Sequence, residues 1–491
     1  MFMQEPLEVS AWIGGKRINT NDKVSRENPS NPEEIVGYAP CNTREEALAA
    51  IKVAAKSFNS WSQTELNLRV ERLLAIADKL EQAIPELRVL LTRETGRAVR
   101  DSEGELRAAV ARIRYACNVS RFIEEKEEIQ DERGQLLIER RPYGVVGAIT
   151  PWNAPVSLAI GKIAPAVVTG NTVVLKPSPL APLTIGQVAQ LFIEGLPEGV
   201  VNVVFGGADV GDELVRNPYV SKLTFTGGID TAVQIARTSA PEIKNLTLEL
   251  GGNDAAIFLE DADLSNETVM RLVIGCFFGT GQICMAVKRI LVHESIYHQL
   301  VNAFVDLAND WIKVGDGLDP QTTVGPMNNL RQRDYVLELL DDARNNGGKV
   351  IPLGTILDHA RFSRGYFVQP ALVTGMKVDS RIVCEEQFGP AVPILPFRST
   401  DEAMQMANNT SYGLTASIWC KDTELAYSLA KRLQVGYVFV NTHGPMALDL
   451  RVPFGGWKRS GIGVEGGVAG LMEFMQYQSI NIPKVVAKPQ N

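Results

Sequence analysis

Two residues in the middle of the chain have side chains suited to covalent catalysis. Cys284 ends the segment 279–284, where glycines and polar residues replace the apolar residues of a core helix. Glu249 lies in the segment 248–252, as a carboxylate at the end of an apolar run that two glycines follow. A thiolate is a nucleophile, and burial would raise the pKa of a carboxylate toward that of a general base. The structural alternatives are a small buried cysteine and a glutamate in an ion pair.

A third candidate is Asn153, which follows Thr150, Pro151 and Trp152 at the end of a predicted strand. Its side-chain amide is suited to hydrogen bonding an oxyanion or to capping the next helix. Another predicted strand ends at Lys176, two residues before Ser178. In an open parallel sheet ligands bind at these strand ends, so Lys176 is either a ribose or phosphate ligand or a solvated lysine.

Two glycine segments are candidates for phosphate binding. Phe225, Thr226, Gly227 and Gly228 leave a predicted strand and enter a predicted helix, where backbone amides suit a phosphate, although an ordinary turn fits as well. Residues 461–466 match the dinucleotide pattern of glycines, but they follow a loop and no strand–helix–strand unit remains after them. We therefore interpret 461–466 as a tight turn.

Composition excludes several classes of protein. The 491 residues are 45% hydrophobic and 22% charged with a net charge of −8, as in a globular protein without a basic nucleic-acid surface. No apolar run is long enough to span a bilayer, and residues 1–10 do not resemble a signal peptide. The six cysteines and four histidines have neither disulfide-framework nor metal-site spacing. We expect a cytoplasmic protein that binds no metal.

The elements that must position these residues fall into two patterns. A capping box of Thr43 and Glu46 starts a helical first third, and an acidic and apolar alternation over 127–138 predicts a protruding hairpin. Strand-helix alternation then predicts a parallel α/β sheet, followed by a second such block over 255–454. The predicted early helices are 46–58, 65–83, 86–98 and 101–123. The predicted strands are 144–150, 172–176, 200–205, 222–226 and 246–250, and the helices between them are 155–168, 183–194, 208–216 and 230–239.

Five ordered segments carry a family resemblance over nearly the whole chain. They are 151–153, 248–252, 281–284, 386–390 and 453–461. With these motifs in this order, the chain resembles the NAD(P)-dependent aldehyde dehydrogenase superfamily. The resemblance implies a Rossmann-type cofactor domain, an α/β catalytic domain and a small β oligomerisation arm. It assigns 1–123 and 144–251 to the cofactor domain, 252–456 to the catalytic domain, 124–143 and 477–491 to the arm, and 457–476 to a return to the cofactor domain.

The same resemblance implies a role for each residue. Cys284 would attack the aldehyde as a thiolate, Asn153 and the Cys284 amide would hold the oxyanion, and Glu249 would activate the water that hydrolyses the thioester. Lys162 and Glu465 match positions of a proton relay. The implied cofactor-binding residues are Thr150, Pro151, Trp152, Lys176, Ser178, Phe225, Thr226, Gly227, Gly228, Leu250, Gly251, Glu386 and Phe388.

Departures from the family pattern bear on the cofactor and the substrate. Pro179 stands where relatives often carry the glutamate that holds the adenosine ribose, which leaves NAD and NADP both open. Gly161 stands where bulky side chains often narrow the substrate pocket. The residues near the motifs are mostly apolar, which favours an apolar aliphatic or aromatic aldehyde over a semialdehyde, although Arg451 and His443 keep a carboxylate-bearing substrate open. The apolar set is Val156, Leu158, Ile160, Phe278, Ile283 and Met285.

Three alternative functions remain at this point. In a CoA-acylating dehydrogenase the thioester passes to CoA, but the presence of Glu249 favours water. A non-catalytic binding protein would not need Cys284, Glu249 and Asn153 together. A thioesterase or esterase without redox chemistry is a third alternative. Because the predicted arm has little core of its own, we expect a homodimer or a homotetramer.

Overall fold

A computed structural model describes residues 5–18 and 20–484, and the chain begins with short strands followed by long helices. The first strands are β1 (Leu7–Glu8), β2 (Ala11–Ile13), β3 (Lys16–Ile18), β4 (Lys23–Asn28) and β5 (Asn31–Pro40). The helices that follow are α1 (Arg44–Trp61), α2 (Leu66–Thr95) and α3 (Val99–Asn118). The predicted capping box is confirmed at α1, because Thr43 accepts from the Glu46 N–H and Glu46 accepts from the Thr43 N–H.

The predicted break between two helices near residue 85 is wrong, because α2 runs through Pro85 as one helix. A proline removes one intrahelical hydrogen bond, here to the carbonyl oxygen of Glu81. Glu81 is exposed and Pro85 lies next to exposed positions, so water can take the place of the missing N–H. The helix ends instead at Gly96, which has a left-handed φ of 82° as its C-cap.

The predicted hairpin is confirmed as a small antiparallel sheet. It consists of β6 (Glu127–Asp131) and β7 (Gly134–Pro142), with β23 (Met475–Pro483) paired along β7. Every residue of β6 is exposed. Residues 485–491, also assigned to the arm, lie outside the described residues.

The first large sheet has the strand order β22-β12-β11-β8-β9-β10-β2-β3. Its remaining strands are β8 (Val145–Ile149), β9 (Thr172–Lys176), β10 (Val201–Val203), β11 (Val220–Thr226), β12 (Asn245–Glu249) and β22 (Gly461–Ile462). The connecting helices are α4 (Pro155–Val168), α5 (Leu183–Gly195), α6 (Ala208–Arg216) and α7 (Ile229–Ser239). Strands β8 to β12 are parallel, as the alternation predicted. The chain moves outward from β8 in both directions, so a ligand crevice is expected between the ends of β8 and β11.

The second large sheet has the order β16-β18-β19-β14-β13-β20-β21. Its strands, with the small pair β15 and β17, are β13 (Asp254–Phe258), β14 (Val287–His293), β15 (Lys313–Val314), β16 (Lys349–Pro352), β17 (Thr355–Ile356), β18 (Ala371–Thr374), β19 (Ala391–Phe397), β20 (Thr415–Trp419) and β21 (Tyr437–Val440). Its helices are α8 (Asn266–Phe277), α9 (Tyr297–Trp311), α10 (Leu330–Asn345), α11 (His359–Arg364), α12 (Arg381–Cys384), α13 (Thr400–Asn408) and α14 (Thr423–Ala430), and α15 (Gly467–Met472) follows β22.

The chain passes from one sheet to the other within a few residues. Glu249 is the last residue of β12 in the first sheet, and Asp254 is the first residue of β13 in the second. Apolar side chains fill the space between each sheet and its helices. Among the described residues, no helix is long and apolar enough to cross a membrane. Because residues 250–253 connect β12 of the first sheet to β13 of the second, the end of β12 lies at the cleft between the two sheets.

Candidate active site

Most of the residues singled out from the sequence line one cavity in this cleft. Its volume is 270 Å³, and it lies at the carboxyl ends of β8, β11 and β12. Gln332 and Tyr335 of α10 also line it, and neither was expected from the sequence. The predicted residues in the wall are Pro151, Trp152, Asn153, Thr226, Gly227, Gly228, Glu249, Leu250, Gly251, Cys284, Glu386 and Phe388.

The loop before Cys284 has a backbone that ordinary helices avoid. Gly279, Thr280 and Gly281 have φ values of 58°, 62° and 69°, all in the left-handed region. Thr280 carries a β-branched side chain there, which costs on the order of 1–3 kcal/mol. The surrounding structure fixes this loop, since the Thr280 hydroxyl donates to the Gly325 carbonyl at 3.1 Å. The loop turns the chain so that Cys284 faces the cavity.

The Cys284 thiol lies in an environment that disfavours its thiolate. Burial raises the pKa of Cys284 to about 12, and the carboxylates of Glu249 and Glu386 contribute to this rise, whereas Lys288 opposes it. The Lys288 ammonium donates to the backbone oxygens of Ile283 at 2.9 Å and of Cys284 at 2.5 Å. Sequence reasoning missed Lys288, which is four residues from Cys284 on β14 and 2% exposed. A lysine within an apolar strand next to a candidate nucleophile was the available signal.

Glu249 is a buried carboxylate without a hydrogen-bond partner among the described residues. Burial raises its pKa well above the usual range, the charge of Glu465 adds to this, and Lys162 and Arg112 oppose it. A carboxylate with a raised pKa and two free oxygens beside a cavity is suited to accept a proton from water. Within the described part of the chain, the ion pair expected as its structural alternative is not formed.

Lys162 and Glu465 form a buried ion pair. The Lys162 ammonium also donates to the Thr224 hydroxyl at 3.0 Å. Glu465 exchanges backbone hydrogen bonds with Phe454 of 2.6 and 2.7 Å, which fixes the turn that carries it. The interpretation of 461–466 as a tight turn holds only in part, because residues 461–462 form β22 beside β12. The residues after β22 bring Glu465 to Lys162.

The side chain of Asn153 faces the nucleophile loop and does not cap α4. Its Nδ2 donates to the Gln282 backbone oxygen at 3.0 Å. The N-cap of α4 is Ala154, and the first amides of α4 donate to Glu105, with 2.9 Å from Val156. The capping alternative for Asn153 is therefore wrong.

The position of Asn153 is fixed by Arg97, which lies just before α3. Arg97 donates to the Asn153 backbone oxygen and forms an ion pair with Glu105. Glu105 in turn holds the start of α4. The ion pair of Arg97 and Glu105 thus fixes the position of both α4 and Asn153. No local sequence signal indicated this pair.

A second group of residues at this cleft forms a cradle with unpaired polar groups. Glu386 accepts from the Gly252 N–H at 3.0 Å, and a Cβ on Gly251 would lie 2.0 Å from the Glu386 carboxylate. The rings of Trp152 and Phe388 meet edge to face at 5.5 Å. Two buried hydroxyls, of Thr150 and Thr226, have no hydrogen-bond partner among the described residues. Unpaired polar groups beside a glycine cradle fit a bound polar cofactor.

A cavity of 620 Å³ continues along the first sheet, and it contains Lys176 and Pro179. Burial lowers the pKa of Lys176 to about 8, and the carboxylate of Asp209 opposes this shift. The Ser178 hydroxyl accepts from the Leu180 N–H at 3.2 Å. Phe225, which was grouped with the cofactor residues, is 5% exposed and packs in the core of the first sheet. Its side chain does not line the cavity, because alternate residues of β11 face opposite sides of the sheet.

Several residues expected near the substrate lie elsewhere. Val156 and Ile160 are fully buried in the core, because the helical period of α4 turns them away from Asn153. Burial lowers the pKa of His443 to about 3, and its ring bonds Ser417 at 2.8 Å, so it is a neutral core residue. Arg451 is paired with Asp449. None of these four therefore provides a free group for a substrate.

A neighbouring cavity is lined by a residue that sequence reasoning missed. Arg112 of α3 lies against Gly161 of α4, where a Cβ would be 3.1 Å from the Arg112 Nη1. The described residues contain no cluster of metal-binding side chains. A nucleophile, a free carboxylate, an amide donor and a cofactor cradle thus meet in one cleft.

Comparisons with known proteins agree with this arrangement. The model of the aldehyde dehydrogenase family matches residues 17–480. The chain is 35% identical to 2-aminomuconic semialdehyde dehydrogenase of Mus musculus, over 98% of this chain and 99% of that protein. Its fold is similar to betaine aldehyde dehydrogenase from Staphylococcus aureus in complex with NAD+ (TM-score 0.91, 34% identity, 96% and 94% of the chains). It is also similar to an NADP dependent enzyme of E. coli (TM-score 0.92, 30% identity, 97% and 98%).

Proposed function

The chain belongs to the aldehyde dehydrogenase family, and we propose that Cys284, Asn153 and Glu249 carry out its oxidation of an aldehyde to a carboxylic acid. The reaction consumes aldehyde, water and NAD(P)+ and yields carboxylic acid, NAD(P)H and one proton. The observation that carries this assignment is the shared cavity, which holds a thiol, a partner-free carboxylate and an amide donor.

In the first half of the reaction, the Cys284 thiol gives its proton to water, and its sulfur forms a bond to the aldehyde carbon as the carbonyl π bond opens. The carbonyl oxygen becomes an oxyanion, which the Asn153 side chain and the Cys284 backbone N–H hold. Asn153 is placed for this by its hydrogen bond to Gln282 and by Arg97. A bound nicotinamide cofactor would supply the acceptor for the hydride of the same carbon, and the product of this half would be a thioester on Cys284.

In the second half, water adds to the thioester carbon and the carbon–sulfur bond breaks. Glu249 takes the proton from this water, because its raised pKa makes it a stronger base than an ordinary carboxylate. Lys162 and Glu465 pass the proton on from Glu249. The carboxylate of Glu249 favours water over CoA as the acceptor, as its presence in the sequence indicated.

The cofactor is NAD or NADP, and the residues present fit either. Glu386, Trp152 and Phe388 would hold the nicotinamide end. Lys176 and Pro179 would face the adenosine end, where the absence of a ribose-binding glutamate leaves room for a 2′-phosphate. Thr150 and Thr226 would supply hydrogen bonds between the two ends.

We further propose the domain division and assembly that the resemblance implied. Residues 1–123, 144–251 and 457–476 form the cofactor domain, 252–456 the catalytic domain, and 124–143 with 477–491 the arm. Apolar side chains on the arm support pairing with a second copy, since Ile129 is 54% and Ile482 46% exposed. A homodimer or homotetramer follows, and sedimentation of a monodisperse monomer at micromolar concentration would contradict it. Six free cysteines support a reducing location such as the cytoplasm.

The test of the activity is absorbance of the reduced nicotinamide without CoA. Purified protein receives hexanal, benzaldehyde or succinic semialdehyde with NAD or NADP. We expect a rise that disappears in Cys284→Ala and persists in Cys276→Ala, since Cys276 is a core cysteine. A rise that requires CoA would move the assignment to acylating dehydrogenases, and no rise under either condition would overturn it.

A further inference from the structure

The side chain of Arg112 lines a narrow cavity beside α4. Its Nε donates to the Ser157 hydroxyl at 3.1 Å, and its Nη1 lies over Gly161. The cavity is lined by Arg112, Tyr115, Gly161, Pro165, Leu450 and Glu465. The guanidinium therefore occupies the space that Gly161 leaves open.

The outer nitrogens of this guanidinium have no protein partner among the described residues. Among those residues, the side chain of Arg112 makes a single hydrogen bond, to Ser157, and no carboxylate lies within ion-pair distance of the guanidinium. Glu465 is already paired with Lys162, and Asp449 with Arg451. A partly buried arginine with two free donors is suited to bind a carboxylate in a two-point contact.

The guanidinium also lies along the helix that follows Asn153. Asn153 lies two residues before α4, and Ser157 and Gly161, four residues apart within α4, face the same side of that helix. Gly161 lies one turn, about 6 Å, beyond Ser157. The carboxylates of Glu465 and Glu249 both act electrostatically on Arg112. A substrate with its carbonyl at Asn153 and its chain along α4 would bring its far end to Arg112.

Building on the proposed function, we propose that the substrate is an ω-oxo carboxylic acid, a semialdehyde whose carboxylate Arg112 binds. The guanidinium donates from Nη1 and Nη2 to the two carboxylate oxygens, while the aldehyde end reacts at Cys284. A cationic aldehyde is disfavoured, because it would place a like charge beside Arg112. A neutral aldehyde of equal length leaves both nitrogens unpaired.

The test compares a carboxylate-bearing, a neutral and a cationic aldehyde. We measure kcat/KM for adipic semialdehyde, hexanal and betaine aldehyde in the wild type, Arg112→Leu, Arg112→Lys and the control Arg114→Leu. Arg114 lies two residues along α3 and pairs with Asp78 and Glu81 at the surface. The ratio of adipic semialdehyde to hexanal should fall about 10- to 100-fold in Arg112→Leu, mostly through KM. It should fall less in Arg112→Lys and stay within about twofold in Arg114→Leu.

The outcomes separate this inference from the proposed function. An unchanged ratio in Arg112→Leu, or a wild type that prefers betaine aldehyde, would overturn the inference while aldehyde oxidation stands. No oxidation of any of the three would overturn both. If Arg112→Leu does not fold, inhibition of the wild type decides: adipate should inhibit hexanal oxidation about tenfold more strongly than hexanoate, and equal inhibition would refute the role of Arg112.

Discussion

The ammonium of Lys288 and the backbone carbonyl oxygen of Cys284 are joined by a hydrogen bond of 2.5 Å. Lys288 also approaches the Glu386 carboxylate at 3.4 Å. The buried ammonium of Lys288 therefore orients the peptide group of Cys284 and also faces Glu386. Its charge lowers the pKa of Cys284, against the opposing effects of burial and three carboxylates.

Replacing Lys288 by Met should therefore make the thiol less reactive. With the positive charge gone, the pKa of Cys284 rises and the thiolate fraction at a given pH falls, by about tenfold for each unit of pKa. Alkylation of Cys284 by iodoacetamide between pH 7 and 9, followed by mass spectrometry, measures this. The control is Lys349→Met at an exposed position of β16. Equal alkylation rates in wild type and Lys288→Met would show that this charge does not govern the thiol.

Glu249→Gln should separate the two halves of the reaction. Without the base, the thioester forms but hydrolyses slowly, so rapid mixing should give a burst of about one reduced nicotinamide per site before slow turnover. In the wild type the base works deprotonated, so hydrolysis should rise with pH through the raised pKa of Glu249. The amide of the variant cannot titrate, and this rise should be lost. If Glu249→Gln shows no burst, Glu249 is needed for formation of the thioester and not only for its hydrolysis.

Replacing only one partner of the Lys162 and Glu465 ion pair should destabilise the fold. Lys162→Met leaves Glu465 charged and buried, and the reverse holds for Glu465→Gln, so each should lower the free energy of unfolding by about 3–5 kcal/mol. The double variant should lose less than the sum of the single losses. Urea unfolding followed by tryptophan fluorescence measures all three. Additive losses would mean that the two groups are not coupled.

Asp101 should make stability depend on pH. Burial raises its pKa from 3.8 to about 6, so the folded protein binds its proton more tightly than the unfolded chain. Between these values the folded state carries more protons, and unfolding free energy falls as pH rises, by about 3 kcal/mol for this group. Because asparagine does not titrate, the unfolding free energy of Asp101→Asn should lack this fall with pH. The difference between the two unfolding curves at pH 4, 5, 6 and 7 checks the sign.

The first sheet could be predicted closely from local patterns. Strand β9 was predicted over 172–176 and α4 over 155–168, and both bounds match the structure. Such elements are visible in the sequence because their apolar runs end at glycine and proline. At Pro85 the same logic failed, since an exposed helix face tolerates one missing hydrogen bond.

The candidate site was predictable only in part. Cys284, Glu249 and Asn153 stand beside glycines and prolines that mark turns, so their segments are visible along the chain. Arg97 and Arg112 act through contacts that no local pattern encodes, and Arg97 meets Asn153 across 56 positions. Lys288 had a local signal, as a lysine within an apolar strand, that was not used. The apolar residues of α4 were assigned to the pocket by proximity in sequence, whereas the turn of the helix decides which way they face.

The bond between Asn153 and Gln282 joins the two large sheets, because Asn153 follows β8 and Gln282 precedes β14. The oxyanion donor and the sulfur therefore belong to different halves of the molecule and exist as a pair only while the halves are closed. Loosening at the cleft would separate them before either half lost its own core. Such a protein would lose activity early in denaturation, so activity would report on the closure of the cleft before spectroscopic signals report on the loss of helices.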